Sequence, residues 1–206
     1  MDTKTKILDA AQGLIVELGA HKASMRKITE EAGVNVAAVN YHFGSKDNLI
    51  SAIMTRFVTP LEKEQRRRLD EVMKASASGT PDIDAILRSQ LEPLYEFSVS
   101  EPDWMNVFHQ FAAAYENEGI FKRDLKRLVE KKLIMLSQCL QKALPNIPKA
   151  TLMRRIAFFR ISAFAIMKGE CIIEETVDIL NIDPDPKIIM DDLVQYIAAG
   201  LTAPCS

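Results

Sequence analysis

Hydrogen-bond donors that suit nucleic acid are concentrated near the N-terminus of this 206-residue chain. The guanidinium of Arg26 can donate two bonds to the O6 and N7 atoms of a guanine. A merely exposed and solvated arginine is the alternative interpretation of this residue. The amide of Asn40 can bond an adenine in the same bidentate way, or it can donate to a phosphate. Both contacts remain open for Asn40.

Two short helices joined by a tight turn are predicted for residues 28–46, and they position these donors. Gly33 ends the first helix, because glycine adopts a positive φ at little steric cost. Asn35 caps the second helix, where its side chain accepts bonds from backbone N–H groups. Val39 and Phe43 have the spacing of an inward face. This pattern is typical of a helix-turn-helix, whose second helix enters the major groove of DNA.

The outward side of the second helix carries small apolar residues beside its polar ones. Ala37 and Ala38 allow the helix backbone to approach a surface closely, and together with Val36 they can contact thymine methyl groups. The preceding helix opens at Ser24, with Met25 in its first turn. We expect this end to lie near the DNA backbone, because free N–H groups and the helix dipole favour a phosphate there.

A set of residues from about Lys6 to Leu49 extends the helix-turn-helix pattern. They are Ile7-Leu8-Asp9-Ala10-Ala11, Gly19, Ile28-Thr29-Glu30-Glu31-Ala32-Gly33-Val34, Val39, Tyr41-His42-Phe43 and Ser45-Lys46-Asp47-Asn48-Leu49. With these residues the segment resembles the N-terminal DNA-binding domain of the TetR family of bacterial transcriptional regulators. The resemblance implies that Tyr41, His42 and Lys46 bond phosphates and that the position of Arg26 often touches bases. Asn40 departs from the family pattern, which often has Tyr at this position.

We therefore expect an all-α chain of about nine helices in two domains. Residues 1–47 form a three-helix helix-turn-helix DNA-binding domain. A fourth helix joins it to a helical ligand-binding and dimerisation domain, residues 48–206. Pro60 is expected to kink or divide this fourth helix. The charged run from Glu62 to Arg68 that follows is interpreted as a solvated face.

Two stretches near the C-terminus have the pattern of a dimer interface. Residues 156–167 are apolar on nearly all sides, so we expect this helix to be buried on more than one side. The last helix begins at Asp183-Pro184-Asp185-Pro186 and presents another apolar stripe. Members of the TetR family dimerise through their last two long helices, and the resemblance implies a homodimer of that kind.

Aromatic residues of the C-terminal part are candidates for lining an apolar effector pocket, with plain core packing as the alternative for most of them. The polar candidates are His109 and Arg160, either of which can bond a ligand carboxylate or carbonyl. Residues 32–46, continuing to Arg56-Phe57, are similar to the fatty-acid-responsive branch, which suggests a fatty acid or an acyl-CoA. The aromatic candidates are Trp104, Phe108, Phe111, Tyr115 and Phe164.

Composition and charge fit a soluble globular protein, with 48% hydrophobic and 26% charged residues and a net charge of −2. Residues 1–50 hold six Lys or Arg against five Asp or Glu, which is only +1. A single DNA-binding head therefore has little electrostatic attraction for DNA, and two heads are expected to act together.

Features of other protein classes are missing from the sequence. The three cysteines, Cys139, Cys171 and Cys205, lack metal-ligand spacing, and no Ser-His-Asp pattern or phosphate-binding glycine loop occurs. We expect no cofactor, no metal and no catalysis, and we expect the thiols to be buried in a reducing cytoplasm. The N-terminus lacks an apolar signal core and the longest apolar region is too short to span a bilayer, so no membrane partner is expected.

The function expected from these residues is transcriptional regulation in the cytoplasm. The chain is expected to act as a repressor that binds a palindromic operator in double-stranded DNA as a homodimer. A small hydrophobic effector is expected to release it from that DNA. The alternative is a helical protein–protein interaction module that does not bind an operator.

Overall fold

A computed structural model of the chain describes residues 2–19, 22–76, 79–101, 120–167 and 185–205, and these ranges contain eight helices and no strand. The all-α prediction is confirmed. Residues 102–119, which include Trp104 and Tyr115 of the predicted effector site, lie outside the described residues. The helices are α1 (Thr3–Leu18), α2 (Met25–Ala32), α3 (Val36–Phe43), α4 (Lys46–Ala75), α5 (Ile83–Ser100), α6 (Ile120–Ala143), α7 (Lys149–Met167) and α8 (Pro186–Thr202).

The chain divides into two compact units, and the single helix α4 contributes residues to both. The first unit comprises Met1–Pro60 and Glu101–Glu130, and the second comprises Leu61–Ser100 and Lys131–Ser206. A functional boundary after residue 47 remains our proposal.

Apolar side chains at helical spacing build the core of the first unit, where α1, α2 and α3 pack against one another. On α1, Ile7, Ala11 and Ile15 are fully buried, because positions four apart fall on one face. Asp2 caps the start of α1, and Gly19 ends it at φ 89°. The other buried apolar residues of this unit are Ala23, Ile28, Val39, Phe43, Leu49, Ile53 and Met54.

Pro60 lies inside α4 without dividing it, so division of the helix at this residue was a wrong expectation. Proline removes one backbone donor, while the remaining turns of a 30-residue helix keep theirs. Ser45 caps the start of this helix, because its hydroxyl accepts a bond from the backbone N–H of Asn48 at 3.1 Å.

The run from Glu62 to Arg68 is not wholly a solvated face, because Gln65 is only 2% exposed. Gln65 lies four residues from both Leu61 and Leu69, which are buried. The inward stripe of α4 therefore passes through the charged run, and one polar side chain lies on it.

In the second unit, α5, α7 and α8 pack against one another around a common apolar core. Leu87 on α5, Leu152 on α7 and Val194 on α8 have no exposed surface. Arg88 on α5 reaches Asp191 on α8 and bonds its carboxylate at 2.6 Å. Such a half-exposed ion pair adds little stability by itself, so burial of the apolar side chains holds these helices together.

The two helices predicted for a dimer interface are apolar on two sides in the described residues. On α7, Ile156 and Phe159 are buried, whereas Phe158 and Ile161 are each 66% exposed. The start of α8 is as predicted, with Asp185 as the cap and proline at the first helical position.

One cysteine departs from the expectation of buried thiols. Cys139 is buried, and this burial raises the pKa of its thiol. Cys205 is exposed, because it follows the end of α8, and Cys171 lies outside the described residues. Among the helices of the described ranges, none combines the length and apolar character that crossing a bilayer requires.

Truncating Leu140 tests the core of the second unit. Leu140 on α6 is fully buried. We expect Leu140→Ala to lower the free energy of unfolding by about 2–5 kcal/mol, through lost burial and the cavity left behind. The matched control is Ile134→Ala on the same helix, where the side chain is 58% exposed. Urea unfolding should show a change within about 0.5 kcal/mol for the control, and equal losses in both variants would contradict this packing.

Candidate nucleic-acid interface

The turn between α2 and α3 depends on a left-handed backbone at Gly33, with φ 64° and ψ 36°. The N–H of Gly33 bonds the carbonyl of Glu30, and the N–H of Val34 bonds the carbonyl of Thr29. These two bonds form a Schellman motif, which satisfies carbonyls left free at the end of α2. Residues with a Cβ rarely adopt this backbone conformation, whereas a Cβ at this position would meet no neighbouring atom. Glycine is therefore required for its positive φ and not to avoid a steric clash.

Capping side chains set the start of both short helices, as predicted. The hydroxyl of Ser24 accepts a bond from the backbone N–H of Lys27 at 3.3 Å. The amide oxygen of Asn35 accepts a bond from the backbone N–H of Ala38 at 2.8 Å. Because this oxygen is committed to the cap, the predicted contact of Asn35 with DNA is left to its NH₂ group.

One face of α3 is buried and the opposite face is exposed, as the sequence predicts. Val39 is fully buried and Phe43 is 7% exposed, so these side chains anchor the helix to the first unit. On the opposite side Val36 is 48% exposed and Tyr41 is 86% exposed. The helix therefore presents one face, and this face holds most of the residues predicted to touch DNA.

Asn48 on α4 holds the end of α3, a contact that the sequence interpretation missed. Gly44 ends α3 with φ 75°, and its N–H bonds the carbonyl of Asn40. The side-chain amide of Asn48 donates to the carbonyl of Phe43 at 2.8 Å. This bond joins α4 directly to the helix predicted to lie in the major groove. A polar residue in the first turn of a helix gives no sequence signal for such a partner.

The predicted DNA-contacting residues lie along α2, α3 and the two loops beside them. Their side chains differ in exposure. Those of Met25, Ala38, His42 and Lys46 are half-buried, and those of Ser24, Arg26, Asn35, Val36, Ala37, Asn40 and Tyr41 are exposed.

Arg26 is held on its own helix by an exposed ion pair. Its Nε donates to the carboxylate of Glu30 one turn later at 2.9 Å, and this bond raises the pKa of the guanidinium. Both side chains are exposed, so the pair is weak and screened by salt. The bond uses Nε, so contact with a base or phosphate through the terminal Nη groups is compatible with it.

A cation that the sequence interpretation did not single out lies beside α3. The ammonium of Lys4, on the first turn of α1, is 6.0 Å from the centre of the Phe43 ring. Asp2 is close enough to His42 for the two to interact electrostatically. The N-terminal end of α1 thus lies next to the C-terminal end of α3, and Lys4 adds positive charge there.

The residues predicted to bind an effector are largely beyond what the structure describes. Trp104, Phe108, His109, Phe111 and Tyr115 lie outside the described residues, and the described side chains of α7 end before Phe164. Arg160 is exposed on α7.

The first unit contains an open groove of about 640 Å³, which none of the predicted effector-binding residues lines. Its walls come from α1 and α4, and Arg56 in this groove forms an ion pair with Asp9. The lining residues are Lys4, Leu8, Asn48, Ser51, Ala52, Thr55, Arg56, Thr59 and Pro60.

A buried polar cluster in the second unit was also missed from the sequence. Gln65 and Gln90 are 2% and 3% exposed, and each side-chain amide donates to the other's backbone carbonyl, at 2.6 and 3.3 Å. Lys132 on α6 donates to the side-chain oxygen of Gln65. A signal existed, because Lys132 precedes Leu136 and Leu140 at intervals of four on the inward stripe of α6.

Burial shifts the pKa values of two groups in this cluster. Removal from water lowers the pKa of Lys132 to about 8, with Arg160 lowering it further and Glu62 opposing the change. Burial also raises the pKa of Glu62, against the influence of Lys132, Lys131 and Arg66. Three cations thus act on the carboxylate of Glu62, and a fourth, Arg160, acts on Lys132.

The lowered pKa of Lys132 predicts a rise in stability at alkaline pH. Between about 8, its pKa in the folded chain, and its ordinary value of 10.5, the unfolded chain binds more protons. The free energy of unfolding therefore gains a contribution on the order of 2 kcal/mol as pH rises through this window. We expect Lys132→Met to lose this rise in urea unfolding measured from about pH 7 to about pH 10. Lys131→Met, an exposed neighbour, is the control; equal pH profiles in both variants would contradict the assignment.

Comparison with known proteins agrees with this architecture. Residues 7–53 match the family described as bacterial regulatory proteins, tetR family. The nicotine-responsive transcriptional repressor HdnoR of Paenarthrobacter nicotinovorans is 30% identical over 111 residues, which cover 54% of this chain and 52% of that protein. The match thus spans about half the length of this curated relative.

Two solved structures share the fold over nearly the whole chain. A TetR-like transcriptional regulator from Rhodococcus sp. RHA1 superposes with a TM-score of 0.59 at 17% identity, covering 98% of this chain and 97% of that one. The fatty acid degradation regulator FadR from Bacillus halodurans gives 0.60 at 14% identity, covering 96% and 98%. At these identities the likeness concerns the fold alone. With the helix-turn-helix geometry of α2 and α3 and the family match of residues 7–53, the N-terminal segment of this chain is a DNA-binding domain of the tetR family of bacterial regulatory proteins.

Proposed function

We propose that this chain is a transcriptional repressor that binds a palindromic operator as a homodimer, with α3 of each protomer in the major groove. The observation that carries the proposal is the exposed face of α3, held by the Gly33 turn on one side and by the Phe43 anchor on the other. Two copies of α3 would occupy successive major grooves, about 34–36 Å or a multiple apart. The name of the relative HdnoR, a transcriptional repressor, supports repression over activation.

Gel shifts and footprinting with genomic fragments test this function. Protection of a palindromic site, with two protected segments in phase, would support the proposal. The competing function is a helical protein–protein interaction module that does not bind an operator. Failure to bind any fragment at low salt would favour that module and refute the regulator.

Removing one phosphate contact gives a quantitative test of the interface. Lys46, at the start of α4, is predicted to bond a phosphate. We expect Lys46→Ala to weaken binding to all DNA sequences alike and to reduce the slope of log K against log salt by about one unit for each copy of Lys46 on the operator. Lys74→Ala, in the last turn of α4, is the matched control. An unchanged salt slope for Lys46→Ala would remove this residue from the interface.

Apolar side chains left exposed on the last two helices support the homodimer. Phe158 and Ile161 on α7, and Ile188 and Tyr196 on α8, are between 46% and 74% exposed. Both helices use their other side for the core of the second unit. A second copy that pairs its α7 and α8 with these would bury both sets, and burial of apolar surface favours association.

Placing charge on this face should separate the protomers. We expect the double variant Phe158→Glu/Ile161→Glu to be monomeric in sedimentation equilibrium, because pairing would bury carboxylates without partners. The control is Val99→Glu, a residue 64% exposed on α5. A double variant that remains dimeric would place the interface elsewhere.

We further propose that a small hydrophobic effector, with a fatty acid or an acyl-CoA as candidate, binds the second unit and releases the DNA. The resemblance of residues 32–57 to the fatty-acid-responsive branch supports this candidate. The effect would pass through α4, which contributes residues to both units. Effector and DNA would then weaken each other's binding by one coupling energy, typically about 1–3 kcal/mol. A cytoplasmic location belongs to the same proposal.

A further inference from the structure

Gln65 joins three helices of the second unit through one side chain. Its amide group donates to the backbone carbonyl of Gln90 on α5 at 2.6 Å. Its oxygen accepts a bond from the ammonium of Lys132 on α6 at 2.5 Å. Gln65 itself belongs to α4 and is 2% exposed. A change in the position or the partner of the Lys132 ammonium therefore alters a hydrogen bond made by α4.

Lys132 carries a positive charge that no carboxylate in the described ranges pairs with. None of the ion pairs formed there includes this residue, and its hydrogen bond goes to a neutral amide. Glu62 is the strongest charge that acts on Lys132, Arg160 opposes it, and Glu62 is itself shared with Lys131 and Arg66. A desolvated ammonium that shares one carboxylate with other cations is stabilised further by an anion in direct contact.

A second polar group of the same cluster lacks a partner. The side-chain oxygen of Gln90, a residue 3% exposed, accepts no hydrogen bond. Its NH₂ group is committed to the carbonyl of Gln65 and to the hydroxyl of Ser89. Buried polar atoms of native proteins normally have partners, so an orphan acceptor in the same hydrogen-bonded cluster as Lys132 indicates a site that a bound molecule completes.

The neighbouring residues restrict the chemistry of that molecule. On α4 the residues one turn either side of Gln65 are Leu61 and Leu69, and on α6 the residue one turn beyond Lys132 is Leu136, all buried. A group with several negative charges would be costly to bring among these side chains, whereas one carboxylate matches one ammonium. An aliphatic tail on the bound molecule would pack against the apolar side chains of these leucines.

We propose that the effector is an aliphatic carboxylate whose anionic group binds Lys132 and displaces the side-chain oxygen of Gln65 from it. This inference rests on the proposed function and names its effector class and its point of action. The displaced oxygen of Gln65 stays buried without a donor, which is unfavourable unless α4 shifts. The same helix begins at Lys46, beside the end of α3 that Asn48 holds, so this shift reaches the proposed operator-binding face.

Calorimetry on the full chain tests the site without reference to DNA. The probe is decanoate below its micellar concentration, and decan-1-ol is the uncharged match. We expect decanoate to bind, and decan-1-ol to bind about tenfold or more weakly, because it lacks the charge-assisted bond. Lys132→Met should weaken decanoate binding by about tenfold or more, while Lys142→Met, at an exposed position in the last turn of the same helix, changes it by less than about twofold. No binding to the unchanged chain, or equal affinities for the two variants, would overturn the proposal.

A second variant tests transmission through Gln65. Gln65→Met keeps the length of the side chain and removes the oxygen that competes for Lys132. We expect this variant to bind decanoate at least as tightly as the unchanged chain but to keep its operator affinity when decanoate is added. Release equal to that of the unchanged chain would refute the role of Gln65, provided that circular dichroism shows normal helicity. A chain that binds decanoate through Lys132 but binds no DNA would refute the proposed function and leave the anion site standing.

Discussion

The left-handed backbone at Gly33 is the constraint on which the first unit depends. It ends α2 and allows α3 to begin only three residues later, at Val36. With so short a connection the crossing of the two helices is set locally. Ile28 on α2 and Val39 on α3 are then both buried. The exposure of Tyr41 and Asn40 follows from that burial, so the candidate DNA-binding face is a consequence of core packing.

A different constraint governs the second unit, where polar side chains lie on inward stripes. A buried glutamine is tolerated only if its donors and acceptors find partners, and Gln65 and Gln90 largely satisfy each other across α4 and α5. The exceptions are the Gln90 oxygen, which has no donor, and Lys132, whose hydrogen bond goes to a neutral amide. A structure that only needed stability would be expected to place apolar residues here, because unsatisfied polar groups cost free energy. This is why we read the cluster as a binding site and not as part of the core.

The last two helices illustrate how one sequence serves two interfaces. In α7 the residues alternate between core and surface within a single turn, since Phe159 is buried while its neighbour Phe158 is 66% exposed. A helix that is apolar on all sides does not indicate which side faces the core. The pattern of α7 therefore predicted two buried faces, but it did not show which residues lie on each face. Packing against α5 and α8 makes that division.

Features that depend on neighbours within a few residues were predictable from the sequence. The caps at Ser24, Asn35 and Ser45 and the stop at Gly33 are all present, because capping chemistry and positive φ act over one turn of chain. Proline was less predictable: Pro60 lies within α4, since the cost of one lost hydrogen bond was outweighed by the rest of a long helix.

By itself the sequence determined the helical class and the helix-turn-helix, because helical periodicity and short-range caps specify them, and it named the candidate residues for DNA contact. Only the tertiary structure decided that Asn48 holds α3, that Gln65 is buried and that Lys132 lies against it. The bond between Lys132 and Gln65 joins residues 67 positions apart, and that between Gln65 and Gln90 joins residues 25 apart. The packing of whole helices determines which of these residues become hydrogen-bond partners. No local sequence pattern specifies that packing.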